Sequence, residues 1–450
     1  MKGETIAWTG KKTVVLGLGR SGQAAAEWLL AQKAEVTVFD EGKSAVVKEL
    51  ARRWEARGAR AVTGVAKLPE ARFDRAILSP GIDPKRPVVI QLRSAQVPVI
   101  GELELGARAC VCPIVAVTGT NGKSTTTELI TALFQAAGKK AVACGNLGQP
   151  LCEVAPLSGG LDYAVAEVSS FQLETIETFR PRIAVYLNLT PDHLDRYADM
   201  GEYAAAKNRI FENQTPGDVA VIQKGLVLPK LAARTVTFSA TDRSADYHLH
   251  EGWLCAGSDR VMRQETTKLS GPHNAENLLA ALAVADAEKI SREAVQKAFG
   301  SYRPLPHRCE VVAVRAGVTW INDSKATNLD AMERAVLGMP GPVILIAGGK
   351  DKGFDFAPSL VHLRGRVRAA LLIGETAGRI EKAWRDGVPC RQVGTLAEAV
   401  KRAAALASPG ETVLLSPGCS SYDQFKNFEE RGETYRQCVK ALPQEENKQP

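Results

Sequence analysis

With 450 residues, 45% hydrophobic and 24% charged, the chain has room for about three domains with substantial cores, which excludes both a disulfide-stapled miniature and a disordered chain. No apolar run approaches the roughly 20 residues that cross a bilayer, and the opening MKGETIAWTGKK carries no signal-like apolar segment, so a cytoplasmic protein without membrane insertion is expected. The 57 basic residues exceed the 50 acidic ones by little and form no basic block, which argues against nucleic acid and for pockets that take small anions.

From Thr13 onward short apolar runs alternate with helical stretches, the rhythm of parallel α/β sheets. The first run ends in GLGRSG. Gly17, Gly19 and Gly22 stand between a strand and the helix SGQAAAEWLLAQK, and Asp40 ends the next strand at the spacing of a ribose-binding acid. Such a turn builds a diphosphate site on a helix N-terminus, so any diphosphate ligand suits it, and a nicotinamide oxidoreductase would explain this loop alone. Cys110 and Cys112 are read as flanking a strand. The nine cysteines contain no metal-type Cys-x-x-Cys pair and are expected to be mostly buried thiols.

A second series starts at Pro113 with PIVAV, then TGTNGKST and a helix from Ser124. Between Gly119 and Gly122 stand only Thr120 and Asn121, two residues where the usual phosphate loop has four. Loop N–H groups would face a phosphate, Lys123 would neutralise it, and the hydroxyl of Ser124 would serve Mg²⁺. Glu167 ends the apolar run YAVAE, where a lone carboxylate is costly without a cation, so it is the candidate metal ligand. His193, in PDHLDRY between Asp192 and Asp195, follows another strand at the end where α/β sites gather. Lys207, in the helix GEYAAAKNRIFEN, would by spacing alone be a solvated lysine.

The turn YRPLPHR opens a third series, in which VILIAGG, AALLIG and TVLLSPG are each followed by helical segments. Lys325 in INDSKATN and Lys352 in AGGKDKGFDF sit in post-strand turns, and with Ser421 they suggest a pocket for a small dianion. Boundaries near 112 and 305 divide the chain into 1–112, 113–305 and 306–450, and the tail QEENKQP reads as disordered.

The ordered set TGTNGKST, GNLG, EVSSFQLE, PDHLDRY, AAAKNRIFEN, HNAENLLAA, LPHR, NDSKATN and SPGCSSYDQFKNFEERG resembles the Mur ligases of peptidoglycan synthesis from about residue 113 to 436, and GLGRSG extends the likeness over nearly the whole chain. The resemblance implies an α/β protein of three domains: a Rossmann-like first domain for UDP-N-acetylmuramoyl-L-alanine, a central P-loop-type ATPase domain, and a Rossmann-like third domain that presents D-glutamate and completes the ATP site. ATP and two Mg²⁺ are the implied cofactors, and a monomer is expected. By motif, Gly119, Thr120, Asn121, Gly122, Lys123, Ser124, Thr125, Asn277, Arg308 and Asp323 would bind ATP, with Asn277 at the adenine. Gly19, Arg20, Ser21, Asp40, Ser79, Gly81, Asn146 and His193 would take the nucleotide sugar. Lys325, Thr327, Lys352, Ser421 and Phe428 would line the D-glutamate pocket. Ser124, Glu167, His193 and Lys207, the last as a carbamate, would serve the metals, and Lys123, His193 and Lys207 would be catalytic. The chain departs from the family at Glu41 and Gly42, where better-known members carry a Thr-Arg pair, so the resemblance does not by itself extend uracil contacts to these two residues, while Asp40 remains usable.

Overall fold

The computed structural model describes residues 7–69, 72–194 and 196–443; the QEENKQP tail and Asp195 lie outside them. Three sheets organise the chain. In the first, β1 (Lys12–Leu16), β2 (Glu35–Asp40), β3 (Arg60–Thr63), β4 (Arg75–Leu78) and β5 (Val99–Gly101) run parallel in the order 3-2-1-4-5. Strand order reverses between β1 and β4, which opens a crevice at the carboxyl ends of those strands, where ligands of open α/β sheets bind.

The central sheet contains β6 (Ile114–Thr118), β7 (Ala141–Gly145), β8 (Tyr163–Glu167), β9 (Ile183–Tyr186), β10 (Val219–Gln223), β11 (Arg234–Ser239) and β12 (Tyr247–His250), all parallel. Two antiparallel strands, β13 (Trp253–Ala256) and β14 (Asp259–Arg263), extend it to the order 14-13-12-11-10-9-6-8-7. Every residue of β6 and β9 is buried, as expected of parallel strands covered on both faces.

The third sheet holds β15 (Glu310–Arg315), β16 (Val318–Asn322), β17 (Val343–Gly348), β18 (Val367–Ile373), β19 (Cys390–Gly394) and β20 (Thr412–Leu415) in the order 15-16-20-17-18-19. Only the β15–β16 pair is antiparallel, a hairpin turned at Ala316 and Gly317, both in left-handed backbone. Tertiary packing gathers the chain into two units: 1–189 with 201–267 and 274–302, and 190–200 with 268–273 and 303–450. The first two sheets lie in the first unit and the third sheet in the second. Among the described residues no helix is long and apolar enough to cross a membrane.

Cys110 and Cys112 do not flank a strand. The amphipathic ELELGARA forms the helix Glu102–Ala109 capped by Cys110, and Cys112 precedes β6, with the two Sγ atoms 3.6 Å apart.

Candidate active site

In the first unit the GLGRSG turn does what its glycines require. Gly17 has φ +90°, and a Cβ at Gly22 would lie 1.8 Å from the Gly17 carbonyl oxygen, so the helix Arg20–Ala31 packs onto the turn only without a side chain there. The helix begins at Gly19 with no side-chain cap, which leaves its first N–H groups for an anion. A cavity of about 440 Å³ opens in front of it and brings together Gly19, Arg20, Ser21, Asp40, Ser79, Gly81 and Asn146. Asp40 spends both oxygens on the backbone, Oδ2 accepting from Leu18 N at 3.0 Å and Oδ1 from Gly42 N at 2.8 Å.

The shortened loop closes around β6. Gly119 (φ +149°) and Gly122 (φ +86°) take backbone conformations that side chains disfavour, and a Cβ on Gly122 would meet Asn277 Oδ1 at 2.3 Å. Asn277 Oδ1 also accepts from Thr126 Oγ1 at 3.2 Å, so this side chain buttresses the loop from behind. Asn188, which sequence reasoning passed over, fixes the loop's front: its Oδ1 accepts from Thr120 N and Asn121 N at 3.1 and 2.9 Å, and its Nδ2 donates to Asn121 O at 3.1 Å. Lys123 Nζ donates to the carbonyls of Gly119 (3.0 Å) and Thr120 (2.8 Å), while Ser124 and Thr125 are buried at the start of the helix Lys123–Ala136.

Lys207 is not a solvated helix lysine. It is 1% exposed, its Nζ donates to Gly119 O at 2.8 Å, and it lies 4.6 Å from the centre of the Tyr203 ring. The helix Met200–Asn208 turns this position inward, which local spacing could not disclose. Glu167, 2% exposed, stands in register with Val117 of β6 and Gly145 of β7, and its Oε1 accepts from Asn146 Nδ2 at 2.6 Å. Among the described residues no three His, Cys, Asp or Glu side chains cluster to hold a metal. The hard oxygens of Ser124 and Glu167 nevertheless fit Mg²⁺, which usually takes one or two protein ligands and completes its shell with phosphate and water.

In the second unit Asp192 is a hub that the sequence showed only as a neighbour of His193. It accepts from Lys352 Nζ at 3.0 Å, Asn328 Nδ2 at 3.1 Å and His193 N at 2.9 Å. Burial alone would raise its carboxyl, but the Lys352 ammonium and His193 hold it below the usual range. His193 itself sits at φ +56°, an unusual backbone for a non-glycine residue, with Nε2 3.6 Å from Asp192 Oδ2. Lys352 therefore has a carboxylate partner, and Lys325 Nζ lies 3.8 Å over the centre of the Phe428 ring.

Thr327 is half-buried in the Lys325 turn, and Ser421 is buried just past β20. Arg431, fully buried and missed in the sequence, ties these turns together: Nε and Nη2 donate to Ser324 Oγ and O at 3.0 and 2.8 Å, and Nη1 donates to Cys419 O at 3.1 Å. Asp323 accepts from Ser416 Oγ at 2.8 Å and Cys309 N at 3.1 Å. Burial pushes its carboxyl up to about 6 despite these bonds and the nearby Arg308.

Two phosphate-type glycine loops in one unit, with a lysine-bearing α/β unit following, define a nucleotide-dependent ligase architecture, and comparison with known proteins agrees. Residues 11–101 match the Mur ligase MurD-like N-terminal domain, 117–285 the Mur ligase middle domain and 307–419 the Mur ligase glutamate ligase domain. The chain belongs to the Mur ligase family. It is 41% identical to the UDP-N-acetylmuramoylalanine–D-glutamate ligase of Myxococcus xanthus, over 97% of this chain and 100% of the relative. It is 42% identical to the enzyme of that name from Syntrophotalea carbinolica, over 97% of this chain and 98% of the relative. The fold resembles UDP-N-acetylmuramate–alanine ligase MurC from Thermotoga maritima (TM-score 0.62, 17% identity, 96% of this chain and 100% of that one). It also resembles the MurF ligase of Thermotoga maritima solved with ADP (TM-score 0.61, 16% identity, 97% of each chain).

Proposed function

We propose that this chain joins D-glutamate to UDP-N-acetylmuramoyl-L-alanine at the expense of ATP, releasing ADP and phosphate, as a cytoplasmic step of peptidoglycan precursor synthesis. Residues 1–112 take the nucleotide sugar, 113–305 take ATP and 306–450 present the amino acid. The single observation that carries this reading is the Asn146–Glu167 hydrogen bond of 2.6 Å, which ties the cleft before the first glycine loop to the carboxylate beside the second. A diphosphate site and a triphosphate site joined in this way suit a reaction between a nucleotide-linked acid and ATP, and neither an oxidoreductase nor a simple nucleotide sensor needs both.

A carboxylate is a poor acylating agent. The alanine carboxylate therefore attacks the γ-phosphorus of ATP and forms an acyl phosphate with loss of ADP; the D-glutamate amine then attacks the acyl carbon, and phosphate leaves through a tetrahedral intermediate. Two anions meet in the first step, so the protein's task is charge neutralisation and positioning. Lys123 and the loop N–H groups hold the phosphates, with Thr120 and Asn121 pinned by Asn188. Asn277 buttresses the loop, and Arg308 and Asp323 also serve ATP. Two Mg²⁺ would be held by Ser124, Glu167, His193 and a carbamylated Lys207, and supply further neutralisation of the transferring phosphoryl group. Lys325, Thr327, Lys352, Ser421 and Phe428 receive D-glutamate, Lys352 by exchanging or sharing its Asp192 partner.

Phosphate release from ATP should require both D-glutamate and UDP-N-acetylmuramoyl-L-alanine. Release with either omitted at the full rate, or none with both present, would refute the reading.

A further inference from the structure

Cys110 and Cys112 face each other across one residue. Their Sγ atoms are 3.6 Å apart, and Cys110 Sγ also donates weakly to Cys112 O at 3.6 Å. The chain around them is held on both sides. Cys110 ends the helix Glu102–Ala109 in extended backbone with its N–H donating to Gly106 O, and Val111 N donates to Ser158 Oγ at 3.0 Å. Pro113 has a ring-fixed φ, and its carbonyl accepts from Ala164 N at 3.0 Å. Alternate side chains of an extended chain share a face, so with Val111 turned out to solvent the two flanking sulfurs turn inward together.

The two thiols are unequal. Cys110 is half-buried, whereas Cys112 is buried in the apolar core of the central sheet. Burial, with Cys110 beside it, pushes the Cys112 thiol up to about 12, so it stays protonated and Cys110 is the sulfur that a reagent reaches. Cys144 packs in the same core, but its Sγ donates to Val165 O at 3.6 Å, and among the described residues no three His, Cys, Asp or Glu side chains cluster to hold a metal. Two touching thiols of different access, with no third ligand, suit thiol–disulfide exchange rather than ion binding.

We infer that Cys110 and Cys112 form a reversible dithiol–disulfide site, oxidised by small disulfides of the glutathione class. Cys110 loses its proton to solvent and attacks one sulfur of the small disulfide, whose other half leaves as a thiolate. Cys112 passes its proton to that thiolate and attacks Cys110 Sγ, expelling the second half, which takes a proton from solvent. Two protein thiols and one small disulfide thus become one protein disulfide and two small thiols, with two electrons passing to the reagent. The sulfurs must close by roughly 1.5 Å to reach a bond of about 2.05 Å, a distance that side-chain rotation covers. Joining residues two apart removes little chain entropy, so the bond is readily re-reduced. The pair stands before the first residue of β6 and the Gly119 loop follows its last, so this chemistry is separate from phosphate binding and independent of the ligase reading.

Oxidised glutathione added to the folded full chain, followed by alkylation, tryptic digestion and mass spectrometry, tests the site. Trypsin releases both sulfurs in one peptide, residues 109–123. That peptide should appear unalkylated and lighter by two hydrogens, and dithiothreitol should return it to the doubly alkylated form. In Cys112→Ala the reaction should stall as a glutathione adduct on Cys110, roughly tenfold or more above the wild-type level, because the internal thiol outcompetes a second small one. Cys110→Ser should leave Cys112 as a free thiol without adduct. Circular dichroism of each variant establishes that it is folded. A wild-type peptide that stays doubly alkylated, one that stops at the Cys110 adduct, or a disulfide that forms only after unfolding in urea would overturn the inference.

Discussion

Lys123 and Lys207 donate to one acceptor, the Gly119 carbonyl oxygen, at 3.0 and 2.8 Å. Two ammonium groups converging on one oxygen of this loop offer positive charge that a bound anion would offset. A nucleotide phosphate would do so for Lys123. For Lys207, reaction with CO₂ would convert the cation into a carbamate with two hard oxygens suited to Mg²⁺. Lys207→Ala should accordingly lose nearly all ligation, and short-chain carboxylic acids should restore part of it by supplying the missing oxygens. Near-normal turnover in Lys207→Ala, with no carbamate signal from the wild type in ¹³C-bicarbonate, would count against this role.

Lys123→Ala should abolish ATP-dependent ligation yet leave nucleotide-sugar affinity within about threefold, because the cavity at Gly19 and the loop at Gly119 are built on different sheets. A shift under about threefold is below 0.7 kcal/mol, the scale of an indirect effect. Calorimetry with each ligand separately measures this. Comparable loss of both would mean that the two sites have been divided wrongly.

D-Glutamate should be used in preference to D-glutamine by tenfold to a hundredfold or more in kcat/KM, the value of about 1.5–3 kcal/mol for a charge-assisted hydrogen bond. Lys325, whose ammonium lies 3.8 Å over the centre of the Phe428 ring, is assigned to supply it, and Lys352 beside Asp192 adds to the positive charge. Lys325→Met should therefore erase most of the preference. Equal efficiency of the two amino acids in the wild type would refute the pocket assignment, and turnover of L-glutamate would refute its stereochemistry.

Glu102 makes stability depend on pH. It is 1% exposed, its Oε1 accepts from Cys152 N at 2.7 Å, its Oε2 has no partner, and burial pushes its carboxyl from 4.5 up to about 7. The folded value lies above the unfolded one, so the native state holds the proton more tightly; the stabilisation is full below about 4.5 and is lost as pH rises through 7. The loss approaches about 3 kcal/mol at most. Denaturant titrations at pH 5 and pH 8 should show Glu102→Gln gaining stability relative to wild type at the higher pH. A pH-independent difference would dismiss this account.

What was legible in the sequence was what is local. Both glycine loops lie at strand-to-helix junctions, so spacing and apolar runs located them, and the three strand series emerged from the same alternation. What escaped depends on distant chain. Asn188, Asp192 and Arg431 acquire their roles only when the fold brings Asn121, Lys352 and Ser324 to them, and nothing in their own neighbourhoods marks them. Lys207 looked solvated because one helical turn does not show which face is covered. The β12–β14 hairpins were missed because the tight Glu251–Gly252 and Gly257–Ser258 turns lie among short strands without strong apolar alternation. Asp40, picked out by its spacing after the first glycine loop, lines the cleft there, and its two oxygens accept from Leu18 N and Gly42 N, which spacing alone does not show.

The proposed function stands on one step, activation of an alanine carboxylate by phosphoryl transfer from ATP. Synthesis with UDP-N-acetylmuramoyl-L-alanine labelled with ¹⁸O in that carboxylate, followed by mass spectrometry of the phosphate released with D-glutamate present, tests it most directly. An acyl phosphate carries one carboxylate oxygen into the leaving phosphate, so each phosphate formed should contain one ¹⁸O and the amide product should retain the other. Unlabelled phosphate released alongside a normal yield of amide would contradict the account.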